Sequence, residues 1–146
     1  MDNTESFLIE KLTVLKPNDE NEFDEPALSS IAEEMAQCSN PDIFFEHIFS
    51  KFEAFPTSFF GQPGPLIHFL EKHYPHYVNL LIESATRKPS LPTVWMINRI
   101  LNGNLDNKTR TKLLDLLTSI SMNKKIDKEI MNSAMGFLDF QNENAS

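Results

Sequence analysis

The chain is short of the residues that build covalent and catalytic chemistry. It has one cysteine, Cys38, so no internal disulfide can form, which suits a reducing cytosol. Cys38 follows Glu33 and Glu34, and neighbouring carboxylates disfavour the thiolate that a nucleophile needs. Glycines number four, and the GQPG run at 61–64 carries a proline, so it reads as a turn, not a phosphate cradle. No Gly-x-Ser-x-Gly elbow, Walker loop or dinucleotide fingerprint is present. The apolar runs are only a few residues long, far short of the roughly 20 that a membrane-spanning helix needs. The start MDNTESFLIEKL has no basic region, Asp2 follows Met1, and ENAS is not prenylation-like, so neither secretion nor lipidation is expected. Basic residues are also scarce, 13 against 21 acidic, and the net charge of −8 argues against nucleic acid as a direct ligand. These absences predict a cytoplasmic protein with no membrane contact, no cofactor and no enzymatic activity.

Histidine does not supply a metal site. His73 and His76 are three apart, but Pro75 stands between them and is expected to open a new helix, which removes them from one face. His47 and His68 stand apart, and no cysteine cluster joins them. A site assembled from scattered residues such as His68, Glu71 and Arg99 is a weak third reading, one that only geometry can reveal.

What the chain does have is core material and unevenly placed charge. It is 40% hydrophobic with 12 phenylalanines in 146 residues, enough for one domain spanning 1–146 without staples. Residues 1–55 carry 13 acidic and 3 basic groups, net −10, whereas 56–146 carry 8 and 10, net +2. Such asymmetry bears on partners and association rate, not on fold.

Hydrophobic period gives helices almost throughout. Leu28, Ile31, Ala32, Met35 and Ala36 form one stripe after Pro26. Phe44, Phe45, Ile48, Phe49 and Phe52 form a second. Leu66, Ile67, Phe69 and Leu70 lead a helix to about Tyr74, and Pro75 opens the next. Trp95 to Leu101 follows the Pro89/Pro92 break, with Gly103 as its C′ residue. Asp106 or Asn107 and then Asp127 can cap the last two helices. The N-terminal stretch with Phe7, Leu8, Leu12 and Leu15 is a further helix, and no strand is predicted. The expected architecture is all-α: about eight short helices as stacked antiparallel hairpins, a right-handed α-solenoid-like array first and a compact orthogonal bundle second. Residues 16–25 read as an acidic loop and 141–146 as a frayed tail.

Two constellations stand out. Asp19, Glu20, Glu22, Asp24 and Glu25 surround Phe23, and Glu33 and Glu34 follow on the next helix. The plain reading is a solvated loop and helix face. The functional one is an acidic surface for a basic partner, with Phe23 either as an anchor or as a staple tucked under the helix. Trp95, Asn98 and Arg99 project from one side of a helix. The favoured reading there is structural, with Trp95 in the core and Arg99 paired with an acid such as Glu71 or Glu83.

The run GQPGPLIHFLEKHYPHYVNLLIESATRKPSLPTVWMINRILNG resembles small helical immunity proteins of bacterial polymorphic-toxin systems, contact-dependent growth inhibition among them. Gly61, Gly64, His68, Phe69, Glu71, Tyr77, Leu80, Ser84, Arg87, Pro89, Thr93, Trp95, Asn98, Arg99 and Asn102 carry it, and Trp95 to Asn102 is its most distinctive piece. It spans under a third of the chain and leaves out the acidic N-terminal part and the last two helices. The resemblance implies a bacterial cytosolic protein, made beside its toxin, that binds and neutralises a cognate toxin domain. Many such toxins are nucleases, whose basic faces suit an acidic inhibitor. It also implies that the motif residues are mainly architectural, which leaves specificity to variable surfaces. The rival reading is a helical-repeat scaffold or adaptor without a toxin partner.

Overall fold

The computed structural model describes residues 3–144. Among them are eight helices: α1 (Asn3–Val14), α2 (Glu25–Ala36), α3 (Phe45–Ala54), α4 (Pro65–Glu71), α5 (Val78–Arg87), α6 (Leu91–Leu101), α7 (Asn107–Ser121) and α8 (Lys128–Asn144). A 3-10 turn at Pro41–Phe44 leads into α3. Among the described residues no strand occurs, and the one extended pairing is an isolated parallel bridge between Glu22 and Phe59.

Helix starts follow from local chemistry. Ser90 and Thr93 make a reciprocal capping box at α6: Thr93 N–H donates to Ser90 Oγ at 3.2 Å and Ser90 N–H to Thr93 Oγ1 at 3.1 Å. Both residues are fully buried, so these bonds satisfy groups that water cannot reach. Asp106 Oδ1 accepts from Thr109 N–H at 2.6 Å to start α7, and that bond holds the carboxyl below its usual range. Asp127 Oδ1 accepts from Glu129 N–H at 2.8 Å at the head of α8.

The helices pack in two rows. In one, α1 touches α3, α3 touches α5 and α5 touches α7; in the other, α2 touches α4 and α6 touches α8. Cross-row pairs α1·α2, α5·α6 and α7·α8 close three helical hairpins, whereas α3 packs across on α6 more closely than on α4. Between the rows lies a core rich in phenylalanine: Phe44, Phe45, Phe49, Phe52, Phe60 and Phe69 are all buried. Each such side chain contributes roughly 1.5–3 kcal/mol through burial, and edge-on pairs such as Phe52–Phe60, with centroids 4.9 Å apart, orient the rings.

Three expectations need correction. First, α4 ends at Glu71 rather than near Tyr74, and α5 begins at Val78 rather than Pro75. A residue before proline is pushed out of the helical region, and residues 72–77 turn instead, through a cis Tyr74–Pro75 bond. Second, the tail is helical to Asn144, because Gln141 is buried and its amide is bonded; residues 145 and 146 lie outside the described ones. Third, Trp95, expected in the core, is half-buried.

Candidate interaction surface

The acidic loop between α1 and α2 is tightly fastened. Asn18 Oδ1 accepts from the N–H groups of Glu20 and Glu22 at 2.9 and 3.1 Å, and Asn18 N–H donates to Glu22 O at 2.8 Å. Asn21 sits at φ +65°, a left-handed position that asparagine tolerates better than most residues. Its amide donates to Thr57 O at 3.1 Å and accepts from the Ser58 hydroxyl. Phe23 N–H donates to Phe59 O and Phe59 N–H to Asn21 O, both at 2.9 Å. The loop is thereby tied to residues 57–59, some 36 positions further along the chain.

Phe23 is a staple, not an anchor. It is 5% exposed, stacked on Phe60 with centroids 4.3 Å apart and edge-on to Phe55 at 5.5 Å. The Lys51 ammonium lies 5.6 Å from its ring centroid and 5.1 Å from that of Phe55. Lys51 Nζ donates to the carbonyls of Thr13, at 2.9 Å, and of Leu15, and so satisfies the end of α1. Burial, reinforced by the nearby Lys16 charge, lowers the Lys51 ammonium to about 8. With Phe23 gone from the surface, the exposed aromatic beside the carboxylates is Phe59, 38% accessible.

The carboxylates themselves stay on the outside. Asp19, Glu20, Asp24, Glu25, Glu33 and Glu34 are exposed and Glu22 is half-buried. Among the described residues, Lys11–Glu34 at 3.4 Å is the one ion pair that draws on this group. Asp24 stands at the N-cap of α2 and Glu25 in its first turn, where the helix dipole favours negative charge. Glu34 turns toward α1, whereas Glu25 and Glu33 line a groove of about 680 Å³ between α2 and α4. Its far wall carries His68 and Lys72, so this groove mixes charge, while the 19–25 loop beside it is acidic.

The residues that carry the family resemblance hold elements together. Gly61 and Gly64 have φ of +125° and +97°, and a Cβ on Gly64 would lie 2.1 Å from Phe60 O. Only glycine fits such a turn. Arg99 Nε and Nη2 donate to the two Glu71 oxygens at 2.6 and 2.9 Å, joining α6 to the end of α4, and this pairing raises the Arg99 pKa. His68 Nδ1 lies 3.7 Å from Glu71 as well. His68, Glu71 and Arg99 are thus brought together as a structural cluster at the surface, not in an enclosed pocket. Tyr77 is buried beside them, and burial together with the Glu71 charge pushes its hydroxyl well above the ordinary range. Gln141 Nε2 donates to Asn98 Oδ1 at 2.7 Å and Asn102 Oδ1 at 2.9 Å, so two asparagines one helical turn apart grip α8. A second carboxylate clamp lies on α3 and α5, where Glu53 accepts from Arg87 at 2.7 and 3.0 Å and from Ser84 at 2.8 Å; the Arg87 bonds lower its pKa most. Among the described residues, no group of three His, Cys, Asp or Glu is placed to hold a metal ion, and no helix is long and apolar enough to cross a membrane.

Trp95 is half-buried, in a recess of about 240 Å³ that also takes in Phe59, Pro63, Leu91, Glu129 and Phe137. Sequence reasoning missed Phe59, Phe137 and Lys51. Phe137 could have been found from its spacing with Ser133 and Phe140 along α8; Phe59 sits in a turn, where period carries no signal. Compared with known protein families, curated proteins and solved structures, the chain matches none.

Proposed function

We propose that this chain is an immunity-type protein that binds and neutralises a cognate bacterial toxin domain, with its acidic N-terminal surface meeting a basic face of that domain. The observation that carries the reading is the row of carboxylates at 19–25, exposed except for the half-buried Glu22, held in a fastened loop and, among the described residues, without an ion pair to the chain's own lysines and arginines. Unpaired carboxylates on a rigid support attract a positive surface from a distance set by the Debye length, about 8 Å at physiological salt. They raise encounter rates toward about 10⁸–10⁹ M⁻¹s⁻¹ at low salt and repel acidic competitors. A nuclease-type effector, whose substrate channel must be basic to hold phosphates, is the partner this chemistry suits best. Inhibition then needs no reaction, only occupation of that channel. The resemblance of Trp95 to Asn102 to helical immunity proteins adds support, and the residues that carry it serve the scaffold: Arg99 on Glu71, and Asn98 and Asn102 on Gln141.

The test is co-expression with the C-terminal domain encoded by the neighbouring gene. Rescue of growth together with a complex on gel filtration is expected. Absence of both rescue and complex would defeat the proposal and leave the scaffold reading.

A further inference from the structure

The Trp95 recess does not end at Trp95. It shares Ser133 and Phe137 with a second hollow of about 470 Å³ along α8, bounded by Asn98, Gly136 and Phe140. Together they make one groove between α6 and α8, with Phe59 and Phe140 exposed at 38% and 46% on its rims. No lysine, arginine or histidine lines either part, and the charged residue that does is Glu129. An apolar slot built around tryptophan and phenylalanine, with the Glu129 carboxylate at its edge and no cation lining it, has the form of a binding hot spot for an apolar side chain beside a positive one.

We propose that this groove docks a partner-protein segment that presents an aromatic or branched aliphatic side chain next to a lysine or arginine. The apolar side chain enters the Trp95 recess and the cation meets Glu129. The proposal deepens the reading above and rests on it for a partner with a basic surface. It adds an anchor to what the acidic loop supplies as steering.

Trp95 is the single tryptophan of the chain, so its emission reports on the groove directly. Gly136 on α8 is open to added bulk, since a Cβ there meets nothing within 4 Å, and leucine is a better helix former than glycine. Gly136→Leu therefore adds bulk to the second hollow, beside the Ser133 and Phe137 that it shares with the Trp95 recess, and is expected to leave the fold intact. The experiment pans a displayed library of random dodecapeptides against the full chain and titrates synthetic copies of the enriched peptides by Trp95 fluorescence. The expected peptides share an apolar residue beside Lys or Arg, shift Trp95 emission, and bind at least tenfold more weakly to Gly136→Leu and to Glu129→Lys. No enrichment, an unchanged emission, or indifference to Gly136→Leu overturns the groove, and indifference to Glu129→Lys overturns its basic flank. Self-association of the wild-type chain that Gly136→Leu abolishes assigns the groove to a second copy and overturns the proposal too. The neighbouring gene's domain separates the two readings. A complex indifferent to Gly136→Leu leaves the toxin reading standing and the groove refuted, whereas peptides that behave as expected beside a domain that does not bind leave the groove and refute the toxin partner.

Discussion

Phe23→Ala is the substitution whose outcome the structure specifies most fully. The ring is 5% exposed, stacks on Phe60, meets Phe55 edge-on and lies beneath the Lys51 ammonium. Truncating a buried phenylalanine costs about 3–5 kcal/mol, transfer and cavity together. The two ring pairs account for about 0.5–1.5 kcal/mol each of that, and the cation above the ring for about 0.5–2 kcal/mol. A loss of about 4 kcal/mol is therefore expected, a large part of the 5–15 kcal/mol that a domain of this kind commands. The control is Phe59→Ala, whose partly exposed ring sits next to the same loop and should cost no more than about 1 kcal/mol. Urea unfolding followed by far-ultraviolet circular dichroism reads both, with the denaturant slope confirming that the folded state is otherwise unchanged. A Phe23→Ala variant within 1 kcal/mol of wild type, or equal to Phe59→Ala, refutes the assignment of Phe23 as the staple of the acidic loop.

Other outcomes follow from the same structure. Lys51 titrates near 8 when folded and near 10.5 when unfolded, so the unfolded chain holds more protons between those values and stability rises with pH there, by up to about 1.4 kcal/mol per unit. Lys51→Met lacks that rise, and its deficit against wild type should widen from pH 8 to 10.5; a constant deficit would mean that the Thr13 and Leu15 carbonyls keep the ammonium charged. Gly64→Ala forces a Cβ onto Phe60 O and should cost roughly 2–5 kcal/mol in thermal or urea unfolding, and a near-neutral result refutes the turn geometry. A double-mutant cycle on Arg99 and Glu71 should return a coupling of about 1 kcal/mol, because the pair is bidentate but part-exposed and screened. Zero coupling would remove it from the scaffold.

Local signals carried the fold a long way. In the Leu28–Ala36 stripe Leu28, Ile31 and Met35 are buried as their spacing predicts while Ala36 is exposed, the Phe44–Phe52 stripe is buried throughout, and Asp106 caps α7. Arg99 meets Glu71, one of the two acids that charge and helix spacing had suggested for it. What escaped was non-local. Phe23 is surrounded by charge in sequence, but its neighbours in space are Phe55 and Phe60, brought to it by the 57–59 pairing. Lys51 reads as a surface lysine because the carbonyls it bonds belong to a different helix. Gln141 reads as tail because nothing adjacent announces Asn98 and Asn102. The proposed interaction surface was half legible for the same reason. Carboxylates can be counted along a chain, but the apolar groove joins Phe59, Trp95 and Phe137 from three separate segments.

The most direct measurement is the association rate between this chain and the neighbouring gene's domain, by stopped flow across a range of salt concentrations, for wild type and for a variant with Glu20, Glu22 and Glu25 all changed to lysine. The account predicts an on-rate at least tenfold lower at low salt, a flattened salt dependence and a dissociation rate close to wild type. An on-rate and salt slope that match wild type would contradict it and move the contact away from the acidic loop.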